Sequence, residues 1–560
     1  MTTGSDAGRS AAGRTGADAV AEALAGHGCA HAFGMPGGEV LALLDALSRT
    51  GIAFHLAKHE NAAGFMAEGV WHAQARTMGS AAPPGILLAT LGPGIANAVN
   101  VIANAWQDRV PLIVLTGSVD DAVAATYTHQ VFDHAALLRP VTKAVFRVPP
   151  GAVAATMEKA LLAATTGQPG PVLVDVPIGV AEGACDEPAR SRPVITAGVG
   201  HDAGMVRTLA RFAGAERPLI VAGVDALDAQ EEIAGLARDF AIPVLTTYKA
   251  KGLLPENEPL SLGGHGLSPL SDKHVLPLVG AADAVLLAGY DPIEMRIGWR
   301  EPWGPRAHVA EVTPVLRDHG MHRVDTVHVG DMRAALKAFA AGLRETLGSR
   351  FETYRTGTWP GGEPHRVRTA LARTFAAPAG WNAHRVFATL REAMPDETVV
   401  TADSGAHRIL VSQTWEARMP RAMLQSTALC TMGCAVPLAL GHRLADPGRP
   451  VLAFVGDAGL EMGLGELATL RDMGLPVIVC VLVDGALALI EKKQRATQRA
   501  RVGVTFGVSD FPAIAQAMGG HGVWIDDEAT LRAEAGDALR RNGFTLLACR
   551  IGERPYEGAF

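Results

Sequence analysis

From Ala17 to about Val180, short apolar runs alternate with stretches whose apolar residues recur at helical spacing. The runs Ala30–Gly34, Gly85–Thr90, Pro111–Thr116 and Pro171–Val176 predict buried strands, and Asn61–Ala75 and Ile95–Gln107 predict helices between them. A second such pattern extends from His201 to Leu343, with strands expected at Pro218–Ala222, Pro243–Thr246 and Ala284–Leu287. A third fills 380 to 550, with strands expected at Thr398–Thr401, Pro450–Val455, Pro476–Val483 and Thr545–Cys549. Apolar strands alternating with helices predict parallel sheets covered on both faces. Residues 181–200 are polar and carry Pro and Gly, which reads as a linker, and 344–378 lose periodicity. The expectation is an α/β chain of three sequential doubly wound domains, 17–185, 200–345 and 380–555, behind a loose tail at 1–16.

Composition narrows the class. A chain of 560 residues is too long for one core, and 48% hydrophobic with 19% charged residues is the balance of a folded globular protein. The net charge of −7 comes from interleaved acids and bases with no Lys/Arg block, so no nucleic-acid partner is expected. No apolar run approaches the ~18–20 residues that cross a bilayer, and the first residues lack the apolar core of a signal peptide. Six scattered cysteines fit a reduced, cytoplasmic protein, and Cys430 and Cys434 lack the second Cys/His pair that zinc would need.

The densest chemistry lies in residues 451–494. A strand ends at Gly456-Asp457-Ala458-Gly459, a helix follows, and a second strand ends at Asp484. Two carboxylates therefore leave the C-terminal ends of two parallel strands, the edge where open α/β sheets bind ligands. Small residues after Asp457 admit close backbone approach, and the helix start offers free N–H groups to an anion. A Mg²⁺ shared between both carboxylates and a diphosphate accounts for the pair, because Mg²⁺ takes few protein oxygens and fills its octahedron with phosphate and water. The local alternative has Asp457 capping its helix and Asp484 opening a turn with Gly485.

Here the sequence resembles the thiamine diphosphate-dependent enzymes of the acetolactate synthase-like group, whose fingerprint is Gly-Asp-Gly followed further on by Asn-Asn. This chain has Gly456-Asp457-Ala458 and Val483-Asp484 in those places. Alanine leaves the N–H accessible, and Asp supplies the same ligand oxygen as Asn. The resemblance implies Asp457, Asp484 and the main-chain carbonyl of Ala486 as metal ligands, with Gly456 to Gly459 at the diphosphate.

Independent motifs support it. KHENAAGFMAEG (58–69) is similar to the family's His-Glu segment, which implies that Glu60 bonds a pyrimidine nitrogen and promotes loss of the C2 proton of thiamine. Taken alone, a His-Glu pair before a helix is ordinary, and a capping or solvated role fits as well. The stretch 91–117 resembles the family's Gly-Pro-Gly series and places Gly92, Pro93 and Gly94 near the pyrimidine, with Asn97 read as stabilising the helix start. FGMPGG (33–38) and THQVFDHAALLRPVTK (128–143) imply a substrate pocket lined by Met35, Pro36, Gly37, His129 and Gln130, whereas PGPVLVDVP (169–177) reads as a buried strand. His129 is either an acceptor-orienting or proton-transferring group, or pocket wall.

In the third domain, DSGAHRI (403–409) implies that Gly405, Ala406 and His407 hold the diphosphate. LCTMGCAVPLALG (429–441) implies Met432 as the apolar wedge between the two cofactor rings, the alternative being a core methionine on a helix. Cys430 stands where the family usually has glycine and would contact the cofactor through its carbonyl.

The resemblance implies decarboxylation of a 2-oxo acid. Pyruvate decarboxylase-like relatives carry a glutamate where this chain has Ile490, one residue before Glu491, and an adjacent His-His pair that this chain lacks. That favours attack on a second carbonyl over protonation. GYDPIEMR (289–296) replaces the family's flavin-associated arginine stretch, Arg296 is offset from the acceptor-binding arginine, and no Gly-x-Gly-x-x-Gly stands out, so FAD is not expected. The expectation is a thiamine diphosphate- and Mg²⁺-dependent, FAD-independent carboligase acting on a 2-oxo acid such as pyruvate. The alternatives are a non-oxidative decarboxylase, an acetyl or carboxyethyl transfer enzyme, or a catalytically idle binding relative. Family members join the glutamate and metal halves across a subunit boundary, which implies a homodimer at least and a homotetramer by analogy.

Overall fold

The computed structural model of the chain describes residues 13–188, 203–317, 319–552 and 554–559. Its eighteen strands form three parallel six-stranded sheets among the described residues. The first holds β1 (His31–Met35), β2 (Ala53–Leu56), β3 (Gly85–Ala89), β4 (Leu112–Ser118), β5 (Ala144–Arg147) and β6 (Pro171–Pro177), in the order β2-β1-β3-β4-β6-β5. The second holds β7 (Pro218–Ala222), β8 (Val244–Thr247), β9 (Ser261–His265), β10 (Ala284–Ala288), β11 (His308–Thr313) and β12 (Thr326–Val329), ordered β12-β11-β10-β7-β8-β9. The third holds β13 (Val399–Ala402), β14 (Met423–Gln425), β15 (Val451–Gly456), β16 (Ile478–Val483), β17 (His521–Ile525) and β18 (Thr545–Arg550), ordered β14-β13-β15-β16-β18-β17. By contacts the chain divides into two compact units, one with the first sheet and one with the second and third.

The central strands β3, β4 and β6 are buried along their whole length, which is why they read as largely apolar runs. The strand order reverses within each sheet, so the loops after the central strands part at a switch point on the C-terminal edge. Among the described residues no helix is long and apolar enough to cross a membrane, and all six cysteines are free thiols.

Several expectations about the connections change. Of the tail expected at 1–16, residues 1–12 lie outside the described residues. Thr15, however, caps the helix Gly16–Gly26 in a reciprocal box with Asp18, and it bridges to Ala184. Within the expected linker, 181–182 complete the helix Ile178–Glu182, and 189–200 lie outside the described residues. The stretch 344–378 is largely helical, as the end of Met332–Leu347 and the helices Phe351–Gly357 and Glu363–Thr374. Neither of the last two fully buries a residue, so no apolar stripe announces them. The helix expected at Ile95–Gln107 breaks at Ala98 into Pro93–Asn97 and Val99–Asp108.

Candidate functional site

In the first unit the loops after β1 and β3 and the start of the helix Glu60–Met78 share the C-terminal edge of the sheet. Glu60 opens that helix and is 6% exposed. Its Oε2 accepts from the Asn97 side-chain amide at 3.0 Å. Asn97 ends its short helix and does not begin one, so its role is to hold this carboxylate, a correction to the helix-start reading. A Cβ on Gly94 would stand 3.4 Å from Glu60 Oε1, so the bare backbone lets the loop reach the carboxylate.

Gly92 requires glycine for two reasons. Its φ of +67° lies in the left-handed region, and a Cβ there would stand 2.6 Å from the Gln130 carbonyl oxygen. Gln130 itself has a φ of +59°, and both it and His129 are exposed, with the His129 ring edge-on to Tyr127 at 6.3 Å. The Gly92 N–H donates to Nε2 of the buried His134 at 3.4 Å. His134 Nδ1 lies 3.8 Å from Asp175, which Arg147 also pairs. Met35 and Gly37 are half-buried, and Pro36 is exposed.

In the second unit β15 and β16 are neighbours in register, Gly456 opposite Leu482, so Asp457 and Asp484 leave one edge side by side. Asp457 Oδ2 accepts from the N–H groups of Asp484 at 3.0 Å and Gly485 at 2.7 Å, and its Oδ1 accepts from Ala458 at 2.9 Å. Asp484 Oδ1 accepts from Ala486 N–H at 3.1 Å. The capping and turn contacts of the local alternative are therefore present, and they bring the two carboxylates together. Burial, and then the neighbouring charge of Asp457, push the Asp484 carboxyl up to about 7. Burial also raises Asp457. A divalent cation would relieve both effects, so this oxygen set fits Mg²⁺.

The diphosphate loop gives a second sign of fit. His407 is 4% exposed, and among the described residues neither its Nε2 nor Oγ of the buried Ser404 has a hydrogen-bond partner. Burial pushes the His407 imidazole down to about 3. A Cβ on Gly456 would stand 3.4 Å from that ring, and one on Gly405 2.8 Å, so the cradle depends on bare backbone. Two orphaned buried groups beside glycines and a helix start are what a polyanion satisfies.

Met432 lies in the loop before the helix Ala435–Ala445 and is half-buried, not a core methionine on a helix. Cys430 has a φ of +61°, which explains why glycine is usual there. Its Sγ receives the Arg408 guanidinium at 3.1 Å. Ile490 is 44% exposed within the helix Ala488–Ala496, and Glu491 beside it is buried and pairs with Arg495 at 3.5 Å. Arg296 pairs with Asp272 at 3.4 Å inside its own unit.

The contacts of four residues near these sheet edges escaped sequence reasoning. Besides Asn97 and His134, Asp403 is fully buried, accepts from Cys434 N–H at 2.8 Å and, among the described residues, has no hydrogen-bond partner for Oδ2, which faces Gly459. Tyr556 is buried near Asp484 and Asp457, and burial and those charges hold its phenol well above its usual range. The Asp-Ser-Gly triplet was a usable signal for Asp403; a lone tyrosine near the C-terminus gave none.

Sheet edges of this kind, with a carboxylate pair, an orphaned histidine and a buried glutamate, define a cofactor-dependent α/β enzyme. Comparison with known families agrees domain by domain. Residues 14–137 match "Thiamine pyrophosphate enzyme, N-terminal TPP binding domain", 205–339 match its "central domain" and 403–549 its "C-terminal TPP binding domain". The chain is 29% identical to acetolactate synthase isozyme 1 large subunit of Escherichia coli (strain K12), over 96% of this chain and 94% of that protein. It is 31% identical to the probable acetolactate synthase large subunit of Methanocaldococcus jannaschii, over 90% of this chain and 86% of that one. For the acetolactate synthase large subunit of Parasynechococcus marenigrum the identity is 30%, over 97% and 88%. The chain belongs to the thiamine diphosphate-dependent enzymes, among their acetolactate synthase-like members, and as such catalyses carboligation or decarboxylation.

Proposed function

We propose that this chain is a Mg²⁺-dependent, FAD-independent carboligase that decarboxylates a 2-oxo acid such as pyruvate and joins the remaining two-carbon unit to a second carbonyl. The observation that carries it is the joining of Asp457 and Asp484 through the two bonds to Asp457 Oδ2. Asp457, Asp484 and the Ala486 carbonyl hold the metal. His407, Gly405, Ala406 and the Gly456–Gly459 backbone hold the diphosphate, Met432 and the Cys430 carbonyl contact the cofactor, and Gly92, Pro93 and Gly94 face its pyrimidine. Thiamine diphosphate held there would supply a carbon nucleophile and an electron sink for decarboxylation. Glu60, oriented by Asn97, shares a proton with the pyrimidine. Met35, Pro36, Gly37, His129 and Gln130 serve the acceptor in the first unit, and in the second an apolar Ile490 disfavours simple protonation.

The middle domain supports the flavin-free reading. At the switch between β10 and β7, a Cβ on Gly289 would stand 2.4 Å from Ala226 N, and one on Gly223 2.5 Å from the Gly289 oxygen. The two loops thus touch where a crevice would open, and Arg317 pairs with Asp225 and, at 3.6 Å, with Asp291 across them. Self-association into a homodimer or homotetramer fits the exposed apolar side chains Tyr127 and Phe132 in one unit and Met462 and Val502 in the other.

The test is incubation of the purified protein with thiamine diphosphate, Mg²⁺ and pyruvate, with CO₂ and the carbon product measured. Acetolactate is expected. Acetaldehyde alone would replace ligation by decarboxylation, and no CO₂ from pyruvate or from a panel of other 2-oxo acids would overturn the reading.

A further inference from the structure

We propose that Glu39 is the proton donor of the reaction, a second carboxylate on the wall that carries Glu60. The inference rests on the carboligase reading and adds a residue that no motif assigned.

Glu39 sits in a single 3-10 turn, Gly38–Val40, just after β1, at the C-terminal edge of the first sheet. Its Oε2 accepts from the Thr90 hydroxyl at 2.7 Å, and Thr90 follows β3, the next strand in the sheet. Three glycines make the arrangement possible. A Cβ on Gly37 would stand 2.1 Å from Thr90 Oγ1 and 3.0 Å from Glu39 Oε2. One on Gly117 would stand 2.7 Å from the Glu39 carbonyl oxygen. One on Gly94 would stand 2.9 Å from Thr90 Cγ2 and 3.4 Å from Glu60 Oε1. Thr90 is therefore the partition between two carboxylates, with its hydroxyl toward Glu39 and its methyl toward the Gly94 side, where Glu60 lies.

Their surroundings differ in a way that separates their work. Glu60 is buried and bonded by an amide, whereas Glu39 is only half-buried, bonded by a hydroxyl, and keeps access to water. Paired carboxylates in unlike environments commonly divide acid and base roles. The chemistry has a place for the second one. Release of CO₂ from a 2-oxo acid anion consumes one proton per turnover whichever product forms. In ligation, the acceptor carbonyl's π pair takes the proton on oxygen as the new C–C bond forms. In simple decarboxylation, the pair from the broken C–CO₂ bond takes it on carbon. In both, the Glu39 O–H bond breaks, no electrons leave the substrate, and water returns the proton to the exposed carboxylate.

The test uses the full-length holoenzyme with Glu39→Gln, Glu39→Asp and Thr90→Val. Glu39→Gln is expected to lower kcat about 100-fold, within the range of lost general-acid catalysis. Affinity for thiamine diphosphate measured by calorimetry, and exchange of the cofactor C2 proton followed by NMR, are expected to stay within twofold of the unaltered enzyme. Glu39→Asp is expected to recover part of kcat, and Thr90→Val to lower kcat with little change in KM. A Glu39→Gln enzyme with unchanged kcat overturns the proposal, and so does one that loses cofactor affinity or C2 exchange, since Glu39 would then serve the cofactor site. If the unaltered protein releases no CO₂ from any 2-oxo acid, the carboligase reading itself fails.

Discussion

Asn97 Nδ2 and Glu60 Oε2 lie 3.0 Å apart, so the buried Glu60 carboxylate is aimed by a side chain at the end of the short helix after β3, two strands across the sheet from β2, which precedes Glu60. A hydrogen bond to a charged group is worth roughly 1.5–3 kcal/mol. Asn97→Ala is therefore expected to lower kcat by about 10- to 100-fold while the cofactor still binds, and Glu60→Gln to remove most activity. Steady-state kinetics with calorimetric cofactor titration checks both. Full activity in Glu60→Gln would remove the proton-sharing role.

Gly92→Ala is expected to be costly for reasons local to the backbone. The left-handed φ costs about 1–2 kcal/mol for an alanine, and the new methyl would meet the Gln130 carbonyl. Urea unfolding should show a loss of at least about 2 kcal/mol. Gly151→Ala is the comparison, because its φ of +75° is equally unfavourable but no atom lies within 4 Å of its Cβ. Equal losses in the two variants would mean that contact with Gln130 adds nothing.

At the proposed metal end, Asp484→Ala removes the proposed ligand oxygen and with it a buried carboxyl that the charge of Asp457 burdens. The rise in melting temperature given by thiamine diphosphate with Mg²⁺ is expected to disappear, while the protein alone melts no lower than before. Asp484→Asn keeps a carbonyl oxygen and should keep most of that rise. An Asp484→Ala protein with an undiminished response would rule out the ligand role.

Acid should destabilise the second unit well above the range of its carboxylates. Burial pushes the imidazoles of His265 and His322 down to about 4. Burial outweighs the Leu262 carbonyl, which at 2.8 Å would favour the protonated His265 ring, and Lys251 adds repulsion, while Ser271 Oγ lies at 2.5 Å from the other nitrogen. His322 packs against Trp303, Tyr290 and His319. In the unfolded chain these rings take up protons near pH 6.5, so between that pH and about 4 the unfolded state binds more protons. Stability is present above pH 6.5 and lost as pH falls toward 4, by at most about 3 kcal/mol for each ring. Melting temperatures from pH 7 to 4.5 should decline, and His322→Phe should shallow the decline. A flat profile would contradict the neutral buried rings.

Legibility followed burial. The strands foreseen from the sequence are all central, where both faces are covered and the run is apolar throughout. All six edge strands, β2, β5, β9, β12, β14 and β17, went unseen, since most carry polar or half-exposed residues such as His55, Arg147 and His521. The central β11 was missed for another reason: His308 and Glu311 are buried within it and break the apolar signal. At the candidate site, the sequence placed Asp457 and Asp484 on adjacent strand ends, and the structure brings them together there. The contacts of Asn97 and Glu39 were not legible, because each acts through a partner that only the parallel register of β2, β1 and β3 brings near.

The closure of the first unit has a consequence for engineering. Thr15 bridges to Ala184, Gly16 N–H bonds the Gly183 carbonyl at 2.9 Å, and Cys185 N–H bonds the Arg14 carbonyl at 2.9 Å. Chain entry and exit are thus stitched together at one point on the fold, as in domains that evolution transplants between hosts. A short linker across that seam would let new termini be opened in the exposed turn at Gly151, giving a circular permutant with the pyrimidine wall undisturbed.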